Sequence, residues 1–300
     1  MVRRCRSIRE AARRLNVASS AVNRQILKLE AEIGVPLFDR LPGGLQLTAA
    51  GEVLSRHVIN VLQDGERVVS EIEAMKGLRS GHVEVATVEG LTMDFLPQLV
   101  ARSLERYPRI TIGVSSTGSP RVPEMLLQGE ADVGLAFDLP RDSSLRQVAM
   151  GEFHLGAIMR PDHPLAERAQ VTLAQCADHR LLVAKPSLSM YRTVMPILES
   201  LNPAQEIVSS DSITLVRELA MSGVGIGFQT RIGIERQIAA GELVHVPLHH
   251  NRKPLMSELA IYVRAGRNVP VGVDAFLRFA EEEILRRSVE AKGSAGRKAR

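Results

Sequence analysis

SIREAARRLNVASSAVNRQILKLEAEIGVPLFDRLPGGLQLTAAG, residues 7–51, is the stretch that decides the fold. Ile8, Ala11, Ala12 and Leu15 recur at i, i+3, i+4 and i+7, the spacing of one helical face. Ser7 stands before that face with Glu10 three residues later, the pattern of a capping box. The periodicity breaks at Asn16-Val17 and resumes with Val22, Ile26, Leu29 and Ile33. Two short helices around a tight turn predict a helix-turn-helix. Leu37–Arg40 and Leu45–Leu47 flank Pro42-Gly43-Gly44, which predicts a short hairpin, a wing after the second helix.

At 100° per residue Ser20, Arg24 and Lys28 lie opposite the apolar stripe of the second helix, with Asn23 on its flank. Small hydroxyls at Ser19 and Ser20 would let the helix approach a groove closely. Arg24 can donate twice to a guanine edge, and Asn23 can pair with adenine. A plain solvated helix face has the same composition, and the hairpin that follows is what favours DNA. Arg40 beside the wing is assigned to phosphate, and Thr48, which opens the next helix as its N-cap, is counted with the DNA-binding residues.

The charge distribution agrees. The net charge is +4, but residues 1–48 carry +5, residues 49–76 carry −2, residues 77–285 carry −4 and the tail 286–300 carries +5. A basic head on an acidic body suits a polyanionic partner. Residues 289–300 read as a basic disordered tail; solvation and non-specific attraction to DNA are both open to it.

From residue 49 on, Leu54, Val58, Val61, Gly65, Val68, Ile72 and Met75 alternate spacings of four and three. That is a heptad seam, and a helix with a single seam needs a partner. Residues 49–77 are therefore expected to form a dimerisation helix, followed by a hinge at Arg79-Ser80-Gly81. Two heads on a twofold axis would read two half-sites.

Residues 7–51 resemble the LysR family of transcriptional regulators nearly end to end. The resemblance rests on Ala11-Ala12, Ala21-Val22, Arg24-Gln25-Ile26, Leu29-Glu30, Gly34–Phe38, Arg40 and Leu47-Thr48-x-x-Gly51. Asn23 stands where the family usually has Ser, and Ser19-Ser20 where it often has Gln-Pro, so the operator sequence is this chain's own. The family's first helix has about a dozen residues, and only six precede Ser7 here. A start assigned too late is the preferred expectation, over a domain without that helix.

The resemblance implies a two-subdomain α/β effector domain related to periplasmic binding proteins. The body fits it, with strand-like runs at 82–88, 110–115, 131–137, 155–159, 181–184, 206–208, 224–229 and 259–263. Helical stretches fall between them, among them 92–105 and 213–222, and such alternation predicts mostly parallel sheets. Gly129–Leu135, Pro161–Leu165 and Gly223–Gly227 resemble family landmarks. The domain is expected over 82–288, with subdomain I at about 82–160 and 265–288 and subdomain II at about 161–264. The crossing strands would then lie near Met159–Arg160 and Val263–Arg264.

Ligands of open sheets bind beyond the carboxyl ends of strands, at helix N-termini. That rule selects Glu89, Gly90 and Thr92 after the first strand, Ser116 and Thr117 in a hydroxyl-rich loop over 115–119, and Phe137 and Asp138. It also selects Ser210 and Asp211 before a helix, and Gly225 beyond it. Ordinary capping would explain any one of them. Glu89, Asp138 and Asp211 would make the cleft acidic, so no ligand class is assigned.

Other functions find little support. Cys5 and Cys176 form neither a disulfide framework nor a metal-ligand spacing. The glycines of 223–227 follow a helix and enter a strand, the wrong order for a dinucleotide loop. His249-His250 lies in a polar stretch, more a solvated loop than a metal site. No enzyme activity, cofactor or metal is expected. A solute-binding transporter would explain the body but not the head. There is no apolar run of spanning length and no secretory signal, so a cytoplasmic protein away from the membrane is expected. The expected partners are promoter DNA, a small-molecule effector, a second copy of the chain in a dimer or tetramer, and RNA polymerase.

Overall fold

The computed structural model describes residues 1–75, 81–201, 207–266 and 269–297. It divides into residues 1–65 and 66–300.

In the first unit, α1 (Val2–Cys5) is a single turn lying against α2 (Ile8–Leu15), and α3 (Ser19–Ile33) follows. The Ser7 hydroxyl accepts from the Glu10 amide at 3.3 Å. Glu10 turns its carboxylate to Arg13 and Arg14 instead, at 2.8–2.9 Å. Only half of the expected capping box forms, because two guanidiniums outcompete one backbone amide. Asn16 takes a left-handed conformation (φ 55°), which asparagine tolerates, and this ends α2. β1 (Phe38–Leu41) and β2 (Gly44–Leu47) pair antiparallel, leaving Pro42-Gly43 as the hairpin tip. α4 (Ala49–Met75) begins at Thr48, whose hydroxyl accepts from the Gly51 amide. A Cβ at Gly51 would strike the Leu37 carbonyl, so the glycine lets α4 close on the wing. The expected helix end at Gly77 and the hinge residues Arg79-Ser80 lie outside the described residues.

The body opens with β3 (Gly81–Val88), α5 (Phe95–Arg106), β4 (Ile110–Thr117), α6 (Val122–Leu127) and β5 (Val133–Phe137). β6 (Leu145–Met159), β7 (Val171–Thr172), α7 (Leu173–Cys176), β8 (Leu181–Ala184) and α8 (Tyr191–Leu201) follow. Next come β9 (Ile207–Ser210), α9 (Ile213–Met221), β10 (Ile226–Thr230) and α10 (Glu235–Ala239). The chain then forms β11 (Val244–His250), β12 (Lys253–Pro254), β13 (Met256–Arg264) and α11 (Val271–Arg297). No helix among the described residues is long and apolar enough to cross a membrane.

One sheet runs β4-β3-β5-β13-β6, and a second runs β9-β8-β10-β6-β11. The shared strand β6 joins them. Its residues Leu145–His154 pair with β13, and Leu155–Met159 pair with β10 and β11. The return crossing is at Leu255–Met256, where Leu255 accepts from the Leu155 amide and Met256 pairs with His154. Both crossings thus come earlier than expected from the sequence, by about five and eight residues. Polar, exposed positions such as Arg146, Gln147 and Glu152 hid the first ten residues of a 15-residue strand. β13 is a central strand of subdomain I rather than the exit from subdomain II. β3 pairs parallel with β4 and β5, and β8 with β9 and β10, whereas β6 and β13 run antiparallel.

Each subdomain has its own core. Phe95, Leu99, Leu135, Leu259 and Phe276 centre the first, and Cys176, Leu198, Phe228 and Leu248 the second. Burial pushes the Cys176 thiol up to about 12, so it packs as a small apolar group. α11 supplies Val273, Phe276, Ala280 and Ile284 to the first core. Its backbone stays helical to Arg297, a correction to the irregular tail expected from residue 289. The run of residues 289–297 holds no proline and few strong breakers, so a well-seated helix can propagate through it.

Candidate functional site

The DNA-facing candidates gather on α3 and the wing. Ser19, Ser20, Arg24, Lys28 and Arg40 are exposed, and Asn23 is half-buried. Arg40 donates to the Asn23 side chain at 3.0 Å, so wing and recognition helix are linked through two of the candidates themselves. Lys28 lies 3.8 Å from Glu32, an exposed and weak pairing. Thr48 takes the N-cap role expected of it. Its hydroxyl donates to the Pro36 carbonyl at 2.7 Å and caps α4, which makes it a fastening of the wing. Sequence reasoning missed Glu30, whose carboxylate accepts from the Leu37 and Phe38 amides at 2.7 and 3.2 Å and sets the wing's approach to α3. Its place in the Leu29-Glu30 pair of the family pattern was the available signal.

In the body, a cavity of about 40 Å³ lies between the two subdomains. Subdomain I lines it with Val88, Glu89, Gly90, Ser119 and Phe137, and subdomain II with Leu188–Met190, Ile213, Gln229, Thr230 and Ile232. Glu89, Gly90 and Phe137 are therefore brought together as expected. The other candidates are not. Thr92 donates its hydroxyl to the Glu89 carbonyl within its own turn. Ser116 and Thr117 continue the edge strand β4 instead of forming a loop, and Ser119 takes their place by accepting from the Phe137 amide at 3.0 Å. Asp138 (φ 52°) turns away and ties itself to Ser257 and the Glu258 amide on β13. Ser210 accepts from the Ser212 amide, and Asp211 is exposed. A Cβ at Gly225 would strike the Arg180 carbonyl, so this glycine serves close packing. Gln229 and Thr230 were missed, although the rule of strand carboxyl ends reaches them once β10 is carried to Thr230.

Among the described residues, hydrogen-bonded ties join the subdomains at two places, with an Arg236–Asp94 ion pair at 3.7 Å beside the second. Glu89 accepts from the Ser212 hydroxyl at 2.9 Å and from the Ile213 amide at 3.0 Å, capping α9 from the opposite subdomain. Arg287 of α11 forms the second. It is 6% exposed and donates to Glu235 of subdomain II at 2.8 Å, to Glu283 at 2.7 Å and to Gln98 at 3.1 Å. Its guanidinium also stacks 5.2 Å from the Phe95 ring centre. Burial, then a carboxyl contact with Asp94, pushes the Glu235 carboxyl above its ordinary value. The His245 ring sits 3.2 Å from the carbonyl of the cavity residue Gln229, and burial pulls it down to about 4. Backbones also meet closely: a Cβ at Gly233 would strike the Gly90 carbonyl, and one at Gly118 the Ser187 carbonyl.

These features have counterparts among known proteins. Residues 1–52 match the model for the bacterial regulatory helix-turn-helix protein of the lysR family, and residues 76–284 match that for the LysR substrate binding domain. The chain is 26% identical over 293 residues to the transcriptional activator protein LysR of Escherichia coli K12, covering 91% of this chain and 93% of that one. The structure is similar to a full-length OxyR variant from Pseudomonas aeruginosa, at TM-score 0.70 and 19% identity, covering 91% and 89% of the two chains. It is also similar to the regulatory domain of CcmR from Synechocystis PCC6803 in complex with 2-PG, at TM-score 0.59 and 18% identity, covering 68% and 97%.

Proposed function

This chain belongs to the LysR family of DNA-binding transcriptional regulators, whose activity a small-molecule effector modulates, and from that premise we propose where each event takes place. Promoter DNA meets Ser19, Ser20, Asn23, Arg24 and Lys28 of α3, with Arg40 on phosphate. The exposed seam of α4 makes the dimer, and dimers pair into tetramers through the effector domains. The protein acts in the cytoplasm, where DNA and RNA polymerase are reached together, and it needs no catalytic group.

The effector sits in the cleft lined by Glu89, Gly90, Ser119, Phe137, Gln229 and Thr230. The observation that carries this is the cavity itself, an apolar chamber with few polar groups at the ends of strands from both subdomains. Its 40 Å³ admits only a few water molecules, whereas sites for metabolites run to roughly 300–1,000 Å³. A metabolite therefore favours a wider cleft, and it shifts the subdomain orientation only as far as its affinities for the two states differ. The CcmR neighbour holding 2-PG supports a small-molecule site in this kind of domain.

Gly90→Val tests the assignment. A Cβ there meets only Ile213, at 3.8 Å, so the variant folds and fills the chamber. In gel shifts with upstream DNA over a panel of metabolites, it should bind DNA like the wild type and lose the response to whichever metabolite moves the wild type. An unchanged response would place the effector elsewhere.

A further inference from the structure

We propose that the N-terminus of α9 is a binding site for a small oxyanion and that Glu89 is its built-in occupant, which an anionic effector displaces. This rests on the cleft being the effector site and adds the chemical class of the ligand.

A helix N-terminus offers unpaired amides and the positive end of the helix dipole, and both favour an anion. α9 is nine residues long and begins inside the cleft, where Ile213 lines the cavity. The Ser212 hydroxyl adds a donor beside the first amide. Both donors are taken by one group, the Glu89 carboxylate, which arrives from the other subdomain. A small-molecule carboxylate or phosphate would make the same contacts.

A second observation shows that the site holds more positive charge than capping requires. Arg217 is one turn further along the buried face of α9, with Ile213, and is only 1% exposed. None of its three guanidinium nitrogens has a hydrogen-bond partner. A buried charge with five N–H donors and no acceptor is costly and rare. Burial pulls the guanidinium below its ordinary value, and Glu89 is the acidic group that opposes this most, ahead of Glu218, Asp94 and Glu235. Side chains on a helix lean toward its N-terminus, so Arg217, one turn in, leans toward the end that Glu89 caps, and no hydrogen bond joins the two. A bulkier or more highly charged oxyanion in place of Glu89 could take up those donors. The Gln229 Oε1 in the cavity wall is also buried and unpartnered, which suits a ligand carrying a hydroxyl next to its anionic group.

Glu89 competes from within the same chain, so it suppresses anion affinity by the fraction of time it holds the site. It also ties the subdomains together while it does so, and an anion that replaces it releases that tie. The test is isothermal titration of the full-length protein with inorganic phosphate and, separately, with acetate. Glu89→Ala should bind the preferred anion about tenfold or more tightly than the wild type, and Glu89→Gln should gain less. Glu89→Ala combined with Arg217→Met should return to the wild-type value; methionine fills a similar volume, and replacing an unpaired buried charge by an apolar group is tolerated. The phosphate and acetate arms show which headgroup the site takes. No gain in either Glu89 variant overturns the proposal, as does a gain that survives Arg217→Met, which would place the anion on another surface such as the basic head. Because the readout is anion binding rather than DNA affinity, its failure leaves the cleft as effector site standing. Failure of the Gly90→Val test, conversely, leaves this result intact.

Discussion

The head and the effector domain are built on opposite terms. Among described residues 1–65 the buried apolar side chains are Ala11, Ala12 and Leu37, and α3 buries none. Leu29, Ile33, Val58 and Val61 are each more than 40% exposed. The effector domain encloses Phe95, Phe153, Phe228 and Phe276 at 2% exposure or less. A unit with so little interior cannot draw its order from its own core and presents its apolar and basic groups outward, to other molecules. The effector domain keeps its apolar groups to itself and places polar ones in a cleft. The residues proposed to touch partners in the head are therefore exposed and local in sequence, whereas the cleft is assembled from distant segments.

The strongest test of that contrast is Val61→Asp with Val68→Asp. If the α4 seam is an interface, each unpaired buried charge costs several kcal/mol, roughly, and the dimer is lost. Light scattering after size exclusion should show monomers, and an unchanged mass would remove the seam from the interface. Next in size is a pair of truncations. Phe276→Ala should lower the unfolding free energy of the effector domain by about 3–5 kcal/mol. Leu29→Ala, at 41% exposure, should cost within about 1 kcal/mol. Denaturant titration of both measures the asymmetry, and equal losses would mean that the head hides a core.

Substitutions on the DNA face come next. Arg24→Ala should reduce the preference for operator over random DNA by about 1–3 kcal/mol. Arg40→Ala should weaken both alike and flatten the salt dependence by about one phosphate. Arg40 also holds Asn23, so any selectivity lost with Arg40→Ala measures how far the wing orients the reading helix. The smallest effect is a pH slope confined to the effector domain. His245 titrates near 4 when folded and near the ordinary 6.5 when unfolded, so the unfolded chain takes up the proton first. Stability should be full above about 6.5 and fall as pH drops toward 4. His245→Asn should shallow that slope in thermal melts; an identical slope would assign it to other groups.

The sequence by itself determined the head almost completely. Ser7, the break at Asn16, the hairpin around Pro42-Gly43 and the Thr48 cap act within a few residues of themselves, so periodicity and capping reveal them. Much of the strand and helix order in the body was legible for the same reason, as was the placing of Glu89, Gly90 and Phe137 at strand ends, but β11 was not, and its His249-His250 end was expected as a loop. Tertiary structure alone decided where the subdomains divide, because a strand that serves two sheets has no local mark at His154 where it changes partners. It alone placed Ser119, Gln229 and Thr230 in the cavity and turned Ser116, Thr117 and Asp138 away from it, since pleat and register choose which side of a strand end faces the cleft. It alone set Glu89 on α9, a contact spanning more than 120 residues. No spacing rule reaches across that distance, because the two groups meet only after both cores have packed and brought the subdomain edges together.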